Sequence, residues 1–207
     1  MPPPAASPEF NANHTTPVDD LRMQMATIAA RLIAQDGATY ATAKQKAVQQ
    51  VFGSRKVSQE MLPDNDLIEQ QVRIYQQLFL ADRQPAQLLR LRECALALMQ
   101  HLSAFNPYLT GAVLNGTAGE YNDIVIQLFA DNPKQVAMEL LNRGIRFEVG
   151  EQHGQETLSF VYQQQGIHLQ VFDQDDLHRI SAKKSPRLGI PGLQKLIQES
   201  QSCSNQE

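Results

Sequence analysis

The residues of this chain best suited to chemistry lie between Leu109 and Phe129. Two glycines, Gly111 and Gly116, precede Asn122-Asp123, and a largely apolar run from Ile124 to Phe129 follows. Glycine accepts a positive φ and lets a ligand come close to the backbone. Successive backbone N–H groups in such a turn form a concavity that binds anions. Asp123 supplies a carboxylate beside the turn. Residues two apart in a strand share a face, so a carboxylate at position 125 would point with Asp123 at one metal ion. The chain has Val125 there. The plainer reading of the same residues is two turn glycines and an Asp that opens a strand by bonding to nearby backbone.

The stretch from Leu109 to Phe129 resembles the active-site signature of the nucleotidyltransferase superfamily. In that signature a Gly-Ser turn and a second glycine are followed by a strand carrying Asp-x-Asp. Gly111 and Gly116 fall at the glycine positions, and Asn122-Asp123 falls at the start of the acidic strand. The resemblance extends from Leu88 to Asp173. It implies that Gly111, Ala112, Gly116 and Asn122 contact a nucleotide or phosphate, and that Asp123 is the catalytic carboxylate and metal ligand. It implies Mg²⁺ and a nucleoside triphosphate as ligands.

Three positions depart from the signature. Ala112 stands where the family has Ser, so one phosphate donor is missing. Val125 replaces the second Asp. The strand expected at Ile167 to Phe172, where a third carboxylate belongs, offers His168 and Gln170 on its polar face. Phosphoryl transfer on two metal ions needs several carboxylates, and Mg²⁺ prefers oxygen ligands. The expectation is therefore a nucleotidyltransferase-like protein with reduced or lost transferase activity that binds a nucleotide or phosphate, or no cofactor at all. One alternative is an active enzyme in which Glu120 or Glu148 joins Asp123 and a nucleoside monophosphate passes to a protein, nucleic acid or small molecule. Another is an interaction module, with Lys44, Lys46, Arg55 and Lys56 meeting nucleic acid.

Positioning these residues calls for an α+β fold: an N-terminal helical layer, then a nucleotidyltransferase-like mixed β-sheet flanked by helices. The reading divides the chain into a disordered tail (1–17), a helical region (18–84), the sheet domain (85–180) and a basic, polar C-terminal tail with a short helix (181–207). Val18, Leu21, Met25, Ile28 and Leu32 recur at helical steps. A second helix spans Tyr40 to Phe52. A third begins near Asp66, with Glu69 completing a capping box, and carries Ile68, Val72, Tyr75 and Phe79. A fourth runs from Pro85 to Phe105 on Leu88, Leu91, Ala95, Leu98 and Leu102. Strands are expected at Tyr108–Leu114, Asn122–Phe129, Ile145–Val149, Leu158–Tyr162 and Ile167–Phe172. Asn132-Pro133 starts a helix with a cap and a proline in its first turn. Leu193 to Ile197 is a short amphipathic piece, and the residues after it look frayed.

The 207 residues carry 18 Lys and Arg against 22 Asp and Glu, a net charge of −4. No global basic field advertises nucleic acid. Cys94 and Cys203 form no CxxC pair, which excludes a cysteine zinc or redox motif. The N-terminus lacks the charged and apolar regions of a secretory signal, and no apolar run reaches membrane-spanning length. The cytoplasm is the expected location and no membrane partner is expected. Asp173, Asp175 and Asp176 read as a solvated acidic turn, His101 as a helix-end histidine, and Lys183, Lys184 and Arg187 as a solvated basic run. Gly116 to Tyr121 is similar to the phosphate loop of the Mur ligases, but Glu120 and Tyr121 stand where those enzymes need Lys and Thr.

Overall fold

The computed structural model describes residues 17–55, 57–152, 155–179 and 186–204. The expected disordered tail lies, apart from Pro17, outside the described residues, as do Lys56, Lys183 and Lys184. The fold is mixed α and β, with helices first and a six-stranded sheet after them.

Helices α1 (Pro17–Asp36), α2 (Tyr40–Phe52) and α3 (Asn65–Phe79) form the helical layer. Their core is built largely of small residues: Ala26, Ala29, Ala30, Ala43 and Ala47 are buried beside Met25, Ile33, Ile68 and Val72. The buried stripe of α1 is thus rotated from the expected one, and Val18 is exposed. Ile28 and Leu32 of the expected stripe are only partly buried against this core. Thr39 caps α2 by accepting from the Thr42 N–H at 3.2 Å. Asp64, not Asp66, caps α3, its Oδ1 accepting from the Leu67 N–H at 2.8 Å. Glu69 consequently is no capping partner; it bonds Arg73 and Asn115. Phe79 is exposed, and Gln76 takes the buried place on that face.

The second core belongs to the sheet and to α4 (Gln84–His101), α6 (Pro133–Asn142) and α8 (Ile190–Ser204), with the short helices α5 (Gly111–Asn115) and α7 (Asp176–Arg179) between them in sequence. Helix α4 ends at His101 and a separate 3-10 turn covers Ser103–Phe105, so the expected single helix is two pieces. Strands β1 (Tyr108–Thr110), β2 (Ile124–Phe129), β3 (Glu148–Gln152), β4 (Gln155–Tyr162), β5 (Gln165–Phe172) and β6 (Leu188–Gly189) lie in the order β3-β4-β5-β2-β1-β6. Among the described residues, β2 and β5 are the one neighbouring pair that runs parallel.

Strand β1 is shorter than expected. Gly111, at φ 72°, turns the chain into α5 (Gly111–Asn115), a helix where strand was anticipated. Strand β3 starts three residues late because Ile145 still belongs to the end of α6: its N–H bonds the Leu140 carbonyl while Gly144 bonds Leu141. The C-terminal segment is no frayed tail within the described residues. Helix α8 buries Leu193 and Ile197 in the sheet core.

The register sorts the sheet into two faces. Leu109, Ile126, Leu169 and Leu158 stand opposite one another across four strands and are buried. The other face carries Thr110, Val125, His168, Ser159 and Glu148 in one row, with Tyr108, Gln127, Gln170 and Thr157 in the next. Directly opposed residues share a face, so polar side chains of five strands gather on one side.

Candidate functional site

Asp123 sits immediately before β2, beside Gly166 at the start of β5. The carboxylate lies so close over Gly166 that a Cβ there would collide with it. Two residues further along β5, His168 Nε2 meets Asp123 Oδ2 at 3.0 Å. On the opposite side of the ring, His168 Nδ1 meets Ser159 Oγ at 2.9 Å. Three neighbouring segments thus hold one hydrogen-bonded line: Ser159, His168, Asp123. The histidine side chain is 25% exposed and the carboxylate 48%. A concavity of about 440 Å³ opens beside Ser159 and His168, with Phe160 and Ile167 in its wall and Arg146 and Glu148 at its border.

The candidate phosphate contacts are only partly brought together. A Cβ on Gly111 would lie 4.0 Å from the Val125 side chain, on the polar face and one row from Asp123. Gly116, at the other end of α5, turns toward α4, where Leu88 and Arg92 are its neighbours. The N–H groups of Gly116, Thr117 and Ala118 all bond the Ala112 carbonyl. Those amides are spent within the protein, so this second glycine turn is not the amide nest expected for a phosphate. Ala112 itself packs against the sheet core. Asn122 closes its own turn: its Oδ1 accepts from the Gly119 N–H at 2.8 Å and its carbonyl accepts from Gln165 Nε2 at 3.0 Å.

The carbonyls of this loop are equally occupied. Arg92 Nε donates to Val113 O at 3.2 Å, Arg73 Nη2 to Asn115 O at 3.1 Å, and Gln76 Nε2 to Thr117 O at 2.7 Å. Gln84 Nε2 lies 3.0 Å from both the Gly116 and Ala118 carbonyls. Arg92 is 7% exposed, and burial pushes its guanidinium below its ordinary range. The C-terminal carbonyls of α5 carry the partial negative charge that a buried cation needs.

The two other carboxylates considered beside Asp123 lie in different settings. Glu120 lines a separate cleft of about 1010 Å³ between the lobes, with Tyr121, Arg83 and Arg90. Glu148 is in the His168 row but two strands away, which is about 10 Å at ordinary strand spacing. Among the described residues, no group of three or more His, Cys, Asp and Glu is placed to hold a metal ion. One carboxylate, an imidazole and a hydroxyl do not make the oxygen-rich octahedron that Mg²⁺ demands. Asp131, Asp173, Asp175 and Asp176 border an open acidic hollow at the far ends of β2 and β5. Arg187 is not simply solvated: its guanidinium lies 5.0 Å from the Tyr108 ring centroid and 5.2 Å from that of Phe129.

Ser159 is the site residue that sequence reading missed. Its partnership with His168 depends on strand register, for which the alternation in 158–162 and 167–172 was the available signal. No helix among the described residues is long and apolar enough to cross a membrane. No family model, curated protein or solved structure matches the chain.

Proposed function

We propose that this chain is a nucleotidyltransferase-like protein with reduced or lost transferase activity, retaining a site at Gly111 and Asp123 for a nucleotide or another phosphate ligand. The observation that supports this most directly is a juxtaposition. The positive-φ Gly111 that ends β1 lies against Val125, and β2 begins just after Asp123. A strand, a glycine turn, a short helix and a second strand with an acidic start are the parts that the sequence resemblance calls for. Parallel β5 brings His168, not a carboxylate, opposite Val125. These features support a reading in which the acidic groups that would hold two magnesium ions are missing.

Titration calorimetry with ATP, GTP, CTP and UTP, with and without Mg²⁺, tests the reading. A heat of binding with one of them, little changed by Mg²⁺, is the expected result. No heat with any of the four removes the nucleotide claim.

A further inference from the structure

The line Ser159–His168–Asp123 has a direction. An ionised carboxylate only accepts hydrogen bonds, so His168 Nε2 carries the hydrogen that faces Asp123. In the neutral ring Nδ1 then bears the lone pair, and the Ser159 hydroxyl donates to it across 2.9 Å. Nucleophile, base and orienting group therefore stand in sequence, the arrangement that activates a serine hydroxyl. Relative to the serine-protease template, the two ring nitrogens exchange roles. The geometry is held by backbone: Ser159 and His168 are directly paired across β4 and β5, and Asp123 is seated over the bare Cα of Gly166.

We propose that Ser159 is a nucleophile toward carboxylic esters with small apolar acyl groups. The concavity beside it supplies the fit, with Val161, two residues along β4 on the Ser159 face, as an apolar neighbour and Arg146 as a cation for a developing oxyanion. Ser159 Oγ attacks the ester carbonyl carbon while its proton passes to His168 Nδ1. The tetrahedral intermediate collapses, the alcohol leaves with that proton, and an acyl-serine remains. Water then attacks the acyl carbon, giving its proton to Nδ1. The carboxylic acid is released and Ser159 recovers the proton. Ester and water become acid and alcohol, with no other reactant. Ser159 and His168 are catalytic residues here, and Asp123 is a positioning residue. The inference shares Asp123 with the proposed nucleotide site but does not depend on nucleotide binding.

The test uses a fluorophosphonate probe on the full chain, with intact-mass and peptide mass spectrometry, alongside hydrolysis of 4-nitrophenyl acetate. Expected is one adduct, on Ser159, absent from Ser159→Ala. His168→Ala and the bulkier His168→Gln slow labelling about a hundredfold, and added imidazole restores part of the rate to His168→Ala. Asp123→Asn slows labelling while Asp123→Glu retains more of it, circular dichroism confirming that each variant is folded. No adduct on folded wild-type protein overturns the proposal, as does equal labelling of Ser159 in a folded His168 variant. Nucleotide heats unchanged in Ser159→Ala would keep the two readings separate.

Discussion

At the scale of single residues, the pair Asp123 and Val125 decides what the polar face can bind. Val125 lies between Gly111 on one side and His168 on the other. Replacing it by a carboxylate would set two acidic groups on one face beside an imidazole. Mn²⁺ accepts both ligand types, whereas Mg²⁺ does not favour the imidazole. The variant Val125→Asp is therefore expected to bind Mn²⁺ at least tenfold more tightly than the wild type, read by calorimetry. An unchanged affinity would count against the face as a vestigial metal site. Asp123 was legible from its neighbours in sequence. Ser159 was not, because no local pattern states that a serine 36 residues downstream shares a histidine with it. Only the register of β4 on β5 does so.

At the scale of elements, the short helix α5 is held less by its own five residues than by side chains reaching it from α3 and α4. A helix of that length is not stable alone. Arg92 alone serves Val113 and, through Ser200 Oγ at 3.3 Å, ties α5 to α8. Arg92→Ala leaves a buried carbonyl without its donor, and a loss of about 2 kcal/mol is expected, measured by urea denaturation. Arg92→Lys should recover little, because a single ammonium lacks the fork that spans both partners. Element boundaries were legible where a cap marks them, as at Asn132. They were not legible where two acids compete for one cap, as Asp64 and Asp66 do. They also failed where a strand breaks at a positive φ, as at Gly111. The length of α8 was hidden because its outward positions are polar, and only the sheet beneath it explains why Leu193 and Ile197 are buried.

At the scale of the whole molecule, two separate cores meet along one loop. Burial raises the Cys94 thiol above its ordinary 9.0, with Arg90 opposing weakly. Burial, aided by Glu69, raises the Tyr40 phenol above its ordinary 10.0 at the junction of the lobes. Both groups hold their protons more tightly when folded than when unfolded. Their contribution is thus full below the unfolded values and is lost as pH rises through the folded ones. Stability should therefore fall above pH 9, first through Cys94 and then through Tyr40. Denaturation midpoints between pH 8 and 11 would show the fall, and Cys94→Ala with Tyr40→Phe should flatten it.

The succession of a helical region and a sheet region followed from hydrophobic period alone; the gathering of polar residues on one sheet face needed the strand register. The burial of α1 on its alanines did not follow from that period, since Ile28 and Leu32 of the expected stripe are only partly buried. Residues 113–118 receive bonds from Arg73 and Gln76 in the helical layer and from Gln84 and Arg92 in the sheet unit. Neither half can melt without stripping partners from the other. Heating should accordingly give a single calorimetric peak whose van't Hoff and measured enthalpies agree, two hydrophobic centres behaving as one cooperative body.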